Sequence, residues 1–169
     1  MSELRVGLGV DAHALVDGVR LVLGGVEIES SRGLAGHSDG DVIAHALIDA
    51  LLGGAGLGDI GSLFPAAEPE WEGASSLDLL RRAAAQVREA GWELVNADCV
   101  LIGEEPRIAP LREQMRERLA EALGVVAERV NVRATTTDKL GFTGRGEGLA
   151  AQAVALLDRG SGAGGSNSK

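Results

Sequence analysis

Between Arg5 and Val10 the apolar residues Val6, Leu8 and Val10 fall on alternate positions, the period of a half-buried strand. The segment from Arg20 to Ile28 reads as further strand, broken at Gly24-Gly25, with turns between these opening elements. The period then changes. Ile43, Ala46, Leu47, Ala50 and Leu51 recur at helical spacing and predict a helix from Asp41 to Leu52, entered through a capping-box-like pair, Ser38 and Asp41, and stopped at Gly53-Gly54. A second helix is expected from Leu77 to Ala90, capped by Ser75 or Ser76, with Leu79, Leu80, Ala83, Ala84 and Val87 inward and Gly91 as terminator. Leu94 to Ile102 read as strand; Pro110 then suits the first turn of a third helix that buries Leu111, Met115, Leu119, Ala122 and Leu123 and closes at Gly124. Val130, Val132 and Ala134 alternate as a strand. A last helix is expected from about Gly146-Glu147, burying Leu149, Ala150, Ala153, Val154 and Leu157. Hairpin strands first and strand-helix alternation later predict a single α+β domain over residues 1–159, a mixed sheet with helices layered on one face; a doubly wound fold is the alternative. Residues 160–169, rich in Gly and Ser, are expected to form a disordered tail.

Composition narrows what such a domain does. A chain of 169 residues buries roughly 70% of its unfolded surface, enough for an ordinary core. With two Trp, two Phe and no Tyr, that core must be aliphatic, and there is little material for stacking nucleic-acid bases. The net charge of −9 also argues against a nucleic-acid partner, although a local cluster of metal, Arg and Lys can still hold an anion against an acidic background. Cys99, the one cysteine, sits in an apolar run, so no disulfide forms within the chain and a buried, inert thiol is expected. No apolar N-terminal leader and no long uncharged apolar stretch is visible, which predicts a cytoplasmic protein with no membrane partner.

The placement of histidine adds chemistry. All three copies, His13, His37 and His45, lie beside acidic and small residues: Asp11 and His13 at the end of the first strand, and the run Gly36-His37-Ser38-Asp39-Gly40-Asp41 leading to His45. Positions i and i+2 of a strand share a face, so Asp11 and His13 can converge on one ion. His45 projects from the polar stripe of its helix together with Asp41 and Asp49. Two imidazoles and one carboxylate make a three-ligand zinc site with the fourth position left for water or substrate. Asp41 and Asp49, four residues either side, are the expected acceptors for the other ring N–H of His45.

Three segments could receive phosphate or sugar. Gly56-Leu57-Gly58-Asp59-Ile60-Gly61 matches G-x-G-x-x-G but follows a helix rather than a strand, so it is not a dinucleotide fingerprint; it is either a plain loop or one in which Asp59 meets ribose hydroxyls. Thr135-Thr136-Thr137-Asp138-Lys139 follows a strand and suits phosphate or a hard cation, with Asp138 as an oxygen ligand for Mg²⁺. Gly141 to Gly148, carrying Arg145, would present the N-terminus of the last helix to an anion, unless it is only a tight turn and cap.

Taken together, Gly9-Val10-Asp11-Ala12-His13, Gly36 to Asp41 with His45, Gly58-Asp59-Ile60-Gly61 with Phe64-Pro65, and Ala134 to Arg145 closely resemble the 2-C-methyl-D-erythritol 2,4-cyclodiphosphate synthase family, over residues 5 to about 157. The resemblance implies a metal-dependent cyclase, a phosphorus-oxygen lyase of non-mevalonate isoprenoid biosynthesis, acting on a cytidine-diphosphate-linked methylerythritol phosphate and releasing CMP. It implies a homotrimer with active sites between subunits, zinc on Asp11, His13 and His45, and Mg²⁺ or Mn²⁺ near Asp138, which stands where the family usually has Glu. By the same resemblance His37 and Thr136 stabilise the transition state, Ser38 contacts phosphate, Asp59 and Gly61 meet the ribose, and Ile60 between them is a further substrate contact. Phe64, Pro65, Ala66, Ala67 and Glu68 lie by the methylerythritol, and Gly103, Glu104, Glu105, Pro106, Arg107, Ile108 and Ala109 form the cytidine pocket. Asp11, His13, Thr135, Thr137, Asp138, Phe142 and Arg145 complete the implied substrate contacts, and Arg145 faces an apolar channel on the trimer axis where isoprenoid diphosphates bind. Glu104 and Glu105 are expected to point outward, away from a diphosphate. Two other readings compete: a zinc-dependent phosphohydrolase of a nucleotide-linked substrate, and a binding protein in which the metal is a structural staple, which would need a fourth protein ligand.

Overall fold

The computed structural model describes residues 3–160; the expected Gly/Ser tail, beyond its first residue, lies outside the described residues. The first strand, β1 (Glu3–Asp17), is far longer than its apolar alternation suggested. A two-residue turn at Gly24-Gly25 joins β2 (Leu21–Leu23) to β3 (Val26–Ile28) as a separate hairpin. Both glycines have positive φ, 57° and 74°, as a type I′ turn requires. The short β4 (Arg32–Leu34) pairs with the end of β1. Then come α1 (Val42–Ala55), the single turn α2 (Ile60–Leu63) and α3 (Ser76–Glu89), followed by β5 (Glu93–Ile102), α4 (Arg112–Leu123), β6 (Val130–Thr135), the short α5 (Gly141–Gly144) and β7 (Gly148–Arg159).

The five-stranded sheet has the order β4-β1-β7-β5-β6. Only β5 and β6 run parallel, joined by the α4 crossover, so the sheet is mixed as expected. Helix α1 lies on β1 and β7, α4 lies on β6, and α3 bridges the two helices. All three cover one face, which gives the expected α+β layering rather than a doubly wound fold.

Glycine and alanine determine how closely α1 approaches. A Cβ on Gly7 would stand 1.8 Å from the Ala50 carbonyl oxygen, and one on Gly9 1.8 Å from that of Ala46. Beside them in register lie Ala155 and Ala153 of β7, both fully buried. The helix therefore sits in a side-chain-free trench, and its residues are buried nearly all round. At its N-terminus Asp41 is itself the cap, accepting from the Ala44 amide at 3.1 Å, which replaces the expected Ser38 capping box. Its two carboxylate oxygens also accept from Gly24 N (2.9 Å) and Gly25 N (2.7 Å), fastening the β2-β3 turn to the helix. The helix runs through Gly53-Gly54 and ends at Gly56, whose φ of 73° makes the left-handed cap.

The expected last helix is in fact strand β7, in the middle of the sheet. Its buried residues Leu149, Ala151, Ala153, Ala155 and Leu157 alternate, but the opposite face carries Ala150, Val154 and Leu156 beside Gln152 and Asp158, so the polar contrast is weak and the period of two is masked. Alanine's high intrinsic helix propensity favours the helical reading; pairing along both edges, to β1 and to β5, overrides it. Gly141 to Gly148 consequently precedes a strand, and no long helix offers its N-terminus to an anion there.

Among the described residues the other sheet face has no helix. On β1 it exposes Leu4, Val6, Leu8 and Val10, each more than half accessible. Toward β5 and β6 the same face turns polar, where Asp98 accepts from Asn131 (2.8 Å) and from Arg133 (3.0 Å). Cys99 is fully buried, and burial pushes its thiol up to about 12, the inert state expected. Among the described residues no helix is long and apolar enough to cross a membrane.

Candidate metal centre and adjoining cavities

Asp11 and His13 are on the helix-covered face of β1, in line with Gly7 and Gly9, and α1 delivers His45 above them. Asp11 Oδ2 stands 2.6 Å from His13 Nε2 and 3.0 Å from His45 Nδ1, and the two ring nitrogens are 3.1 Å apart. Ligands at 2.0–2.1 Å around a tetrahedral zinc are separated by about 3.3 Å, so two edges of the triangle need to open by about 0.2–0.3 Å and the short Asp11–His13 edge by about 0.7 Å to accept one. Three acceptor-capable atoms aimed at one another also require a shared cation or proton. No other grouping of this kind occurs among the described residues, and no fourth protein donor joins it. The donor set fits an open catalytic site and not the four-ligand structural staple.

The electrostatics agree. Burial opposes ionisation of Asp11, but hydrogen bonds and charge from His13 and His45 outweigh it and hold the carboxyl at about 2. The hydrogen bond to Asp11 raises His13, against the effect of burial. Both groups are thus tuned to each other even without an ion.

The far nitrogen of His45 does not meet Asp41 or Asp49. Asp41 is committed to the turn and the helix cap, and Asp49 accepts from the Ile60 amide at 2.7 Å. Instead His45 Nε2 lies 2.9 Å from both Ser76 Oγ and Ser38 Oγ. Nothing in the sequence pointed to Ser76, which reads locally as a helix start 31 positions downstream.

Around the cluster is a cavity of about 220 Å³ lined by Asp11, His13, His37, Ser38, His45, Ile60, Gly61, Phe64 and Ala66 among the expected residues. Trp71 and Leu79 line it as well, just beyond the segment that sequence reasoning singled out. Trp71 packs edge-on against Phe64 at 5.0 Å between ring centroids, with the Arg82 guanidinium 5.0 Å over its other side. His37 is exposed and reaches the cavity from the β4-α1 loop. Asp59 is the cap of α2 and accepts from the Ser62 amide (2.7 Å) and hydroxyl (2.8 Å), which hold it below the ordinary carboxylate range. Asp59, Pro65, Ala67 and Glu68 surround this region without lining the cavity.

A second, larger cavity of about 690 Å³ gathers the other expected residues: Gly103 to Ala109, Thr135, Thr136 and Arg145, with Lys139 and Arg32. Its walls come from the ends of β5 and β6 and from the loop before β7. Glu104 does not turn outward as expected. Its carboxylate reaches across to the Lys139 amide at 2.8 Å, because Lys139 and Asp138 both take left-handed φ values and present that N–H. Glu105 is exposed. Thr137 is turned inward to Leu140 O (2.7 Å) and Thr143 Oγ1 (3.0 Å), Asp138 is held only by a 3.4 Å contact from Thr136 Oγ1, and Phe142 is part-exposed; none of these three lines either cavity. Arg145 pairs with Glu147 at 2.9 Å.

Within one chain the two cavities share no lining residue. Ala12 of β1 is in register with Ala150, Ile102 and Thr135 in turn, three strand spacings or about 14 Å away. Thr135 also points to the face opposite Asp11.

The sequence profile of the YgbB family matches residues 4–158. The chain is 58% identical over 162 residues to a 2-C-methyl-D-erythritol 2,4-cyclodiphosphate synthase of Moorella thermoacetica, covering 95% of this chain and 99% of that protein. It is 60% identical over 162 residues to the synthase of the same name from Rubrobacter xylanophilus, covering 94% and 98%. Among solved structures it superposes on the bifunctional IspDF of Campylobacter jejuni with a TM-score of 0.91 and 43% identity, covering 94% of this chain and 43% of that one. On a 2C-methyl-D-erythritol-2,4-cyclodiphosphate synthase in its CDP-bound form the TM-score is 0.83 at 39% identity, covering 91% and 100%.

Proposed function

The chain belongs to the YgbB family, and from that premise we propose that it closes 4-diphosphocytidyl-2-C-methyl-D-erythritol 2-phosphate to 2-C-methyl-D-erythritol 2,4-cyclodiphosphate with release of CMP, in non-mevalonate isoprenoid biosynthesis. In reaction class it is a phosphorus-oxygen lyase, and its place is the cytoplasm. The observation that carries the reading is the open cluster of Asp11, His13 and His45 at the floor of a cavity.

The reaction is intramolecular. An oxygen of the 2-phosphate forms a bond to the β-phosphorus, the bond from that phosphorus to the oxygen bridging toward cytidine breaks, and the oxygen leaves with CMP. No protein nucleophile is needed, so the residues act by folding the substrate on itself and by matching its developing charge. Zinc held by Asp11, His13 and His45, with Mg²⁺ or Mn²⁺ held by Asp138 and substrate phosphates, would supply Lewis acidity to the phosphoryl oxygens. His37 and Thr136 are assigned to hydrogen-bond the oxygens that gain charge in the transition state, and Ser38 to donate to phosphate. Phe64 and Trp71 shield the methylerythritol end from water, which separates cyclisation from hydrolysis. The Gly103–Ala109 segment receives the cytidine and Asp59 to Gly61 the ribose.

Two features support a site completed between copies of the chain in a homotrimer. His37 and Thr136 line separate cavities of one chain, and β1 exposes four large apolar residues that a second copy would cover. The test is incubation of the purified protein with the cytidine substrate, zinc and magnesium, followed by ³¹P NMR. A cyclic diphosphate with CMP is expected; a linear phosphate product would replace the cyclase by the phosphohydrolase. Light scattering on the same sample should give three chains per particle.

A further inference from the structure

His45 has two ring nitrogens, and the one turned away from Asp11 and His13 enters a built environment. Nε2 is 2.9 Å from Ser76 Oγ. Ser76 is fully buried at the first position of α3 and is held twice by one carboxylate: its hydroxyl donates to Asp39 Oδ1 and its amide to Asp39 Oδ2 at 3.0 Å. Asp39 in turn accepts from the Asp41 amide at 3.2 Å, and its own amide donates to Ala74 O at 3.1 Å, so the β4-α1 loop and the start of α3 are tied together at this point.

The direction of these bonds is fixed by chemistry. An ionised carboxylate only accepts, so the Ser76 hydroxyl hydrogen is committed to Asp39 and the oxygen lone pairs face His45. That favours a proton on Nε2 and leaves the Nδ1 lone pair for the cluster. Ser38 Oγ, also 2.9 Å from Nε2, differs in having no carboxylate of its own; it is half-buried, lines the smaller cavity, lies 3.3 Å from Ser76 Oγ and accepts a long 3.4 Å contact from Gly40 N. Its hydroxyl hydrogen has Ser76 Oγ at 3.3 Å as an acceptor and no carboxylate to hold it, so it can turn to a ligand in the cavity.

We propose that Asp39 and Ser76 form a carboxylate-hydroxyl relay that fixes the ring of His45 with Nδ1 aimed at the metal, making Ser76 a positioning residue and freeing Ser38 to donate to a phosphate oxygen. The proposal rests on the metal reading above. A histidine ligand whose outer nitrogen is held in this way keeps its orientation and gains basicity, and loss of such a partner typically lowers metal affinity 10- to 100-fold. The merely structural role open to the same residues is capping of α3, which would affect stability and leave metal affinity alone.

The experiment measures Zn²⁺ affinity by competition with a chromophoric chelator for the full chain, for Ser76→Ala, for Asp39→Asn and for Ser38→Ala, and follows the His45 Nε2–H proton of the zinc-loaded forms by ¹⁵N-edited NMR. Ser76→Ala should lose about 10- to 100-fold in affinity, and its Nε2–H should exchange rapidly where the parent proton is protected. Asp39→Asn, which also serves if Ser76→Ala does not fold, should shift both readings the same way. Ser38→Ala should keep both close to the parent. Parent-like affinity and exchange in Ser76→Ala, whatever its melting temperature, would overturn the relay while leaving the metal centre standing. A parent chain that takes up no zinc would overturn both.

Discussion

Replacing Gly9 by Ala tests whether the metal centre depends on the closeness of helix and strand. The added Cβ would lie 1.8 Å from Ala46 O and 2.7 Å from Ala50 N, both backbone atoms that no rotamer change can clear. A carbon-oxygen contact needs about 3.3 Å, so α1 must lift by about 1.5 Å or β1 must sink. Metal-ligand distances tolerate about 0.2 Å, and His45 is the residue next to Ala46. The same displacement that relieves the clash therefore takes Nδ1 out of range of Asp11 and His13. Overpacking in a core costs roughly 1–3 kcal/mol, and a clash against unyielding backbone belongs at or above the top of that range. Urea unfolding of the metal-free protein should show a lower midpoint at unchanged slope, and chelator competition should show zinc uptake abolished in the folded fraction. Gly7→Ala, 1.8 Å from Ala50 O, presses on the helix one turn farther along; it should cost similar stability and less zinc affinity. A Gly9→Ala variant with the parent's midpoint and zinc affinity would refute the trench as the device that builds the site.

Gly53, an exposed helical position whose added Cβ would meet nothing closer than Leu8 O at 4.0 Å, should behave oppositely: Gly53→Ala is expected to gain about 0.5–1 kcal/mol in the same unfolding assay. His45→Ala should abolish zinc binding in a protein that stays folded by circular dichroism, whereas His37→Ala should keep zinc and lose turnover; equal zinc loss in both would undo the division between them. Burial drives the Asp41 carboxyl up to about 6 from an ordinary 3.8, against the pull of three backbone amides. A raised acid favours the fold when protonated, so its contribution is complete below about pH 4 and is lost as pH rises through about 6, by at most about 3 kcal/mol. Metal-free parent protein should lose stability between pH 4 and 6.5 relative to Asp41→Asn, and parallel curves would count against the shift.

The cluster of Asp11, His13 and His45 was legible because each member depends on a local rule: Asp11 and His13 share a strand face, and His45 sits on an identifiable helix. Their environment was not. Asp41 and Asp49 are neighbours of His45 in sequence, yet Asp41 is drawn off by the Gly24-Gly25 amides and Asp49 by Ile60, contacts from segments whose approach no periodicity encodes. Ser76 reaches His45 only because α3 packs against α1. The helical reading of β7 has a different origin, since a strand with apolar residues on both faces loses the alternation by which strands are read, and Val154 and Leu156 on its even face continue the uncovered apolar surface of β1. Glu104 shows the same limit, its inward turn being set by a left-handed pair of residues on another loop.

The two faces of β1 amount to a proofreading device. Odd positions supply Gly7, Gly9, Asp11 and His13 to the helix, while even positions supply Leu4, Val6, Leu8 and Val10 to the outside. A slip of one residue would exchange the sets, sending the donors outward and forcing valine and leucine into gaps where even a methyl group stands 1.8 Å from backbone. The misaligned sheet would clash with α1 at both points, so pairing one step out is disfavoured together with the loss of the donors. Correct folding and a correctly faced donor pair are therefore a single event, and the fraction of protein that is folded should equal the fraction able to take up metal.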